Sequence, residues 1–293
     1  MNRSRPALCA KSSRRVVAVL LLVLVSCTGC RRQAPAPPSS SPDVLILYAF
    51  SEEGKVLRDK IQVTRVDTVL GQEALNGTLE NRTVVVCGSG VGMTNAAMMT
   101  QALIDHYRPS ELIFTGIAGA LDSTVSIGDL VVCSTWVTHD YVYWGKDSVQ
   151  VQRVWSYSPE EDSVKAFTSY DADSTLLADA RRVPADSLPM ATVGGRAPRV
   201  FVGGVGVSGN AFIDNKEKRQ WLTGHFHALI TDMESAAVVQ VCRANGVPCL
   251  VVRSASDLAG GSDSESASVQ LDQFFETAAS NSAMFVVRLV KEM

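Results

Sequence analysis

Residues 228–257 read ALITDMESAAVVQVCRANGVPCLVVRSASD. A short apolar run, Ala228–Ile230, closes on Asp232-Met233-Glu234. A helical pattern starts at Ser235 and stops at Asn245-Gly246, with Pro248 beyond, as a helix stop signal should. A second apolar run, Cys249–Val252, ends in Arg253-Ser254-Ala255-Ser256-Asp257. The pattern is strand–helix–strand, which predicts parallel strands with their carboxyl ends on one edge of the sheet. Glu234 and Asp257 are then expected to face one crevice, where open α/β sheets bind ligands. Two carboxylates across a pocket suit acid–base work on a polar bond. The bland alternative is a pair of solvated loop acids.

Working outward, the N-terminus is not part of that fold. Residues 1–26 carry Arg3, Arg5, Lys11, Arg14 and Arg15 and no acid. The apolar run Val16–Val25 falls short of the roughly 20 residues a membrane span needs. It reads as a secretory signal peptide, and Leu24-Val25-Ser26-Cys27 resembles a bacterial lipobox, with Cys27 as the lipidated residue. Cys27-Thr28-Gly29-Cys30 also matches a redox CxxC, but no strand precedes it. Residues 27–42, rich in Pro and Ser, read as an extended tether. The expectation is an exported lipoprotein held at a membrane by its lipid, with residues 43–293 as one catalytic domain.

Without residues 1–26 the chain keeps 22 Lys+Arg against 30 Asp+Glu, a net charge of −8. That surface argues against nucleic acid as a partner. Cys87, Cys133, Cys242 and Cys249 sit on apolar runs and are expected as buried thiols. No His/Cys cluster has metal-ligand spacing, so neither metal nor cofactor is expected.

Further strands are expected at Asp43–Phe50, Thr83–Cys87, Leu112–Thr115, Leu130–Val137 and Arg199–Val202. Thr64–Leu79 reads as short antiparallel strands turning at Asn76-Gly77. Met99, Leu103 and Tyr107 lie four apart on one helix face. Other helices are expected from about Asp173 to Arg182 and from Leu271 onward. Strands alternating with helices define an α/β class. Residues 141–198 are the least legible. Gly204–Gly209 fits GxGxxG, with Asp232 placed as a ribose-binding acid would be. The turn comes late in the chain, so a dinucleotide site is the weaker reading. Gly88–Gly92 reads either as a tight strand-to-helix turn or as a backbone nest with Ser89 near an anion or sugar hydroxyl.

Several stretches together resemble the nucleoside phosphorylase superfamily, closest to its 5′-methylthioadenosine/S-adenosylhomocysteine nucleosidase branch. They are ILYAFSEEGKVLRDKI at 46–61, CGSGVG at 87–92, FTGIAGAL at 114–121, IGDLVV at 127–132, HD at 139–140, VSGNAFI at 207–213, DMES at 232–235 and VVRSASD at 251–257. The resemblance implies a single α/β domain around a mixed, partly barrel-like sheet, and a homodimer. It implies Asp257 as the acid protonating adenine N7, Glu53 as the base activating water, and Glu234 on the ribose hydroxyls. It also implies Phe212 stacked on adenine, Ile213 reading its edge, Met233 along the sugar and Ser89 near the water. Ser256 and Arg253 would support Asp257. Phe50, where the branch has Met, would narrow the pocket. Residues 141–146 depart from the branch's pattern for the 5′ substituent, so the 5′ group is left open. Phosphorolysis needs a cationic anion site. Here Ser51-Glu52-Glu53 follows the first strand, which favours water. The competing readings are a purine or uridine phosphorylase and a non-catalytic nucleoside-binding lipoprotein.

Overall fold

A computed structural model describes residues 41–293 except 185 and 187. The leader, Cys27 and all but the end of the tether lie outside the described residues. The first strand, β1 (Val44–Tyr48), is buried at every position, as its unbroken hydrophobicity requires. After α1 (Lys55–Lys60), β2 (Gln62–Val69) and β3 (Gln72–Leu79) form a hairpin. Its turn is Leu70-Gly71, both with positive φ, and not Asn76-Gly77. That pair lies inside β3, opposite a register shift between Val63 and Arg65. The Asn-Gly signal therefore marks a bulge.

Next come β4 (Arg82–Gly88), α2 (Met93–Tyr107) and the ten-residue β5 (Glu111–Ala120). The apolar run at 130–137 is two strands, β6 (Leu130–Val132) and β7 (Thr135–Thr138). It breaks because β6 pairs with β13 and β16, whereas β7 joins another part of the sheet. Two hairpins follow, β8 (Val142–Trp144) with β9 (Val149–Val151) and β10 (Val154–Ser158) with β11 (Ser163–Phe167). The short β12 (Tyr170–Asp171) leads to α3 (Ser174–Arg182), whose Asp173 caps the amides of Thr175 and Leu176. Then come β13 (Val200–Val202), β14 (Val205–Ser208), α4 (Lys216–Phe226), β15 (Ala228–Asp232), α5 (Ser235–Ala244), β16 (Cys249–Asp257) and α6 (Ala267–Glu292).

The main sheet runs β12-β7-β14-β15-β5-β1-β4-β3-β2 and branches through β16, which pairs with both β5 and β6. The GxGxxG stretch is mostly β14, paired with β7 and β15. No helix follows until Lys216, so the dinucleotide turn is excluded. Nor do β15 and β16 form the expected parallel pair. β5 lies between them, parallel to β16 over Leu112–Gly119 and antiparallel to β15 at Gly119–Ala120. β1 pairs β5 only as far as Phe114, and β15 takes over the edge that β1 leaves. Glu234 and Asp257 converge because the sheet changes partners around β5.

The long helix α6 seals the back of this junction. It buries Phe285, Val286, Leu289 and Val290, each worth roughly 1.5–3 kcal/mol relative to exposure. Its buried Ser282 shares a hydrogen bond of 2.7 Å with the Thr115 hydroxyl and donates to the Val252 carbonyl at 3.0 Å. α6 is thereby pinned to both strands beneath the acids. The remaining cysteines are buried free thiols.

Candidate active site

Glu53, Glu234 and Asp257 line one cavity with Phe50, Val91, Ile117, Phe212, Thr231, Asp232, Met233, Ser256 and Leu271. Its volume, mouth included, is about 450 Å³. An open groove beside Tyr48, Lys55, Arg58, Glu73 and Glu276 is larger, about 1380 Å³ with its mouth included. Its Arg58 is already paired with Glu73 at 2.9 Å, and both are partly exposed. The buried acids make the smaller cavity the candidate site.

Glu53 sits just beyond β1 and turns back under it. Its Oε2 accepts the amides of Ala49 at 2.7 Å and Phe50 at 2.9 Å, and its Oε1 accepts Ile117 at 2.9 Å. Burial raises its pKa, against the pull of Arg253 and those amides. Glu234 occupies the junction of β15 and α5. Its Oε1 accepts the Gly92 amide at 2.7 Å. Burial pushes its pKa up to about 7, opposed by Arg253 and Gly92 and reinforced by Asp232 and Glu53. Asp257 ends β16. Its Oδ1 accepts the Ala259 amide and its Oδ2 the Ser256 hydroxyl, both at 2.8 Å. Burial raises its pKa to about 6 despite those two bonds. All three carboxyls are therefore held nearer neutrality than ordinary acids.

Arg253 does not support Asp257. It is fully buried and ion-pairs with Asp232 at 2.8 Å, Glu234 at 3.5 Å and Glu53 at 3.8 Å. The two residues are four apart on β16, but a register shift between Ala255 and Asp257 intervenes. Arg253 stays beneath the cavity while Ser256 and Asp257 line it. Its guanidinium also lies over the Phe114 ring, 4.2 Å from the centroid. The ion pair crosses β5 at Gly116, where a Cβ would stand 2.0 Å from Arg253 Nη1 and 2.4 Å from Glu53 Oε1. No side chain fits there.

Phe50, Phe212 and Met233 line the cavity, and the two phenylalanines are partly exposed. Ile213 borders a smaller adjoining cavity shared with Phe212, Met233 and Asp257. Ser89 is not among the lining residues. Its amide donates to the Tyr48 carbonyl at 2.7 Å and its hydroxyl to the Gly90 carbonyl at 3.0 Å. Gly92, three residues on, donates its amide to Glu234.

Sequence reasoning missed Asp232 as a supporting acid. Asp232 accepts Arg253 Nε, the Ser208 hydroxyl and the Ser235 hydroxyl. The signal was present, since Asp232 stands in the same DMES run as Glu234. It also missed the amide of Ile117 and the hydroxyl of Thr231. Thr231 lines the cavity, and its buried hydroxyl has no partner among the described residues.

This arrangement can hold a neutral or cationic polar ligand between acids and aromatic walls. Residues 43–291 match the family model described as the phosphorylase superfamily, and the chain belongs to that superfamily. Within it, a 5′-methylthioadenosine/S-adenosylhomocysteine nucleosidase of Bacillus cytotoxicus is 31% identical over 252 residues, covering 85% of this chain and 99% of the relative. The Neisseria meningitidis nucleosidase, solved with methylthio-immucillin-A, superposes with a TM-score of 0.70 at 26% identity, covering 85% of this chain and 99% of that one. A futalosine hydrolase of Helicobacter pylori gives 0.70 at 28% identity, covering 85% and 97%.

Proposed function

We propose that the protein hydrolyses the N-glycosidic bond of adenine nucleosides of the 5′-methylthioadenosine and S-adenosylhomocysteine type, releasing adenine and a 5-substituted ribose. The observation that carries this reading is the lining of the cavity: four acids, apolar walls and, among the described residues, no lysine or arginine. The one cation nearby, Arg253, is already shared by Asp232, Glu53 and Glu234. A phosphate about 4 Å from an ionised carboxylate would cost roughly 4 kcal/mol at an effective dielectric of 20. Water is the nucleophile such a site favours.

Asp257, kept protonated by burial, donates its proton to N7, so adenine leaves as a neutral base. Glu234, ionised, binds the ribose hydroxyls and stabilises the positive charge that develops on the sugar. Glu53 takes the proton of the attacking water as its oxygen bonds to C1′. Acid and base act from opposite sides of the bond, as in glycosidases. Phe212 stacks on the base. Among the described residues neither the amide nor the carbonyl of Ile213 has a partner, which leaves both free to read the adenine edge. Phe50 packs edge-on against Phe275 at 5.3 Å and, with Val91 and Leu271, suits an uncharged 5′ group.

The test is a panel of purine nucleosides assayed for free base with and without phosphate. Phosphate-independent adenine release is expected; release of ribose 1-phosphate would make the protein a phosphorylase. Binding without any release would make it a nucleoside-binding protein.

Export and lipidation at Cys27 belong to the same proposal, supported by the basic head, apolar run and lipobox in order. Mature protein recovered unlipidated from the cytoplasm would contradict it. A homodimer is supported by the family and by the exposure of Tyr143 and Trp144 on the β8–β9 hairpin. Light scattering should give twice the chain mass.

A further inference from the structure

We infer that Asn210 is a positioning residue that ties the loop carrying Phe212 and Ile213 to the donor that holds Glu234. The inference rests on the hydrolase reading for its kinetic consequences, but its geometry stands apart from it.

The loop leaves β14 at Ser208. Gly209 donates to the Asp232 carbonyl at 3.2 Å and passes so close to buried His139 that a Cβ would stand 2.6 Å from the imidazole. Asn210 comes next and is held from two directions. Its amide donates to Asp140 Oδ2 at 2.7 Å. Its side-chain Oδ1 accepts the amide of Met93 at 3.1 Å, from 117 residues away.

Met93 is the first residue of α2, and the N-cap position is Gly92, which makes no side-chain capping bond. A helix start leaves its first amides without internal partners. Asn210 supplies the acceptor that a capping side chain would otherwise provide. The preceding amide, Gly92, is the one that donates to Glu234 Oε1. Consecutive amides at one helix start are thus divided, Met93 to the purine-side loop and Gly92 to the ribose-side carboxylate. Loosening Asn210 frees the helix start and with it the grip on Glu234, although Asn210 touches no acid of the cavity. The charged groups facing Glu234 are Arg253, Asp232 and Glu53, and an uncharged substitution at 210 alters none of them.

Asn210→Ala should lower kcat/KM for adenine release about tenfold, the scale of one or two exposed hydrogen bonds. KM should rise, because the Phe212 loop loses its anchor. The pH profile should also move. The Gly92 amide lowers the Glu234 pKa, so loosening it raises that pKa, and the alkaline limb should begin at higher pH. A merely structural role would leave that limb in place. Asn210→Asp keeps the acceptor and should restore KM; the charge it adds raises the Glu234 pKa in its own right, so the pH comparison is between wild type and Asn210→Ala.

A second measurement needs no activity. Amide hydrogen exchange at Gly92 and Met93 should quicken in Asn210→Ala and slow again in Asn210→Asp. Unchanged exchange in Asn210→Ala, or failure of Asn210→Asp to restore it, overturns the inference whether or not the wild type is a hydrolase. Failure of the wild type to release adenine, with exchange responding as described, would sink the hydrolase reading and leave the tether standing.

Discussion

At the scale of single residues, the site depends on carboxyls that folding makes reluctant to ionise. Asp257 shows the consequence for stability. Its pKa rises from 3.8 to about 6 on burial, so the folded state binds the proton more tightly than the unfolded chain. Stability from that proton is present at low pH and is lost as pH rises through about 6. The penalty amounts to at most about 3 kcal/mol, at 1.36 kcal/mol per unit. Asp257→Asn should therefore raise Tm relative to wild type at pH 8, about half as much at pH 5 and hardly at all below the unfolded pKa, measured calorimetrically. Arg253 gives the opposite case. Arg253→Ala leaves Asp232, Glu53 and Glu234 buried without a cation, and should cost about 3–5 kcal/mol in denaturant unfolding. The acids were legible in the sequence because each stands at the end of an apolar run. The arginine's allegiance was not. The resemblance pointed to Asp257, and only the register shift before Asp257 and the crossing at Gly116 assign it to the other three acids.

At the scale of elements, the helices were easier to read than the strands. α3 and α5 begin and end where capping and stop residues place them, because helix signals are local. Replacing the α3 cap, Asp173→Ala, should cost about 1 kcal/mol and leave kcat unchanged, a useful control far from the cavity. The glycine-bearing stretches misled. Gly116–Gly119 and Gly204–Gly209 look like loops, yet they run largely as strand in β5 and β14. Glycine serves there to admit a neighbouring side chain, which a local pattern does not reveal. Gly116→Ala should accordingly part Arg253 from Glu53 and abolish turnover, as read by adenine release on protein shown to be folded by near-UV circular dichroism.

At the scale of the whole molecule, the α/β class followed from the alternation of runs, but the branching of the sheet around β5 did not. Strand partners more than a hundred residues apart carry no local signature, and the parallel β15–β16 pair was the simplest guess from one segment. The folded arrangement sets the pH dependence. On the proposed mechanism Asp257 must keep its proton, which it loses above about 6, and Glu234 must be ionised, a charge it loses below about 7. The kcat/KM profile should be narrow, with its maximum between these values and decline on both sides.

The central claim is that the buried Asp257 delivers the proton that lets the purine leave. It is tested most directly by adenine release from 5′-methylthioadenosine by Asp257→Asn beside wild type, with affinity for a non-hydrolysable analogue measured on the same samples. The account predicts release slowed by about a thousandfold, within the usual range for a lost general acid, and analogue affinity within about tenfold of wild type. Release at near the wild-type rate would contradict it.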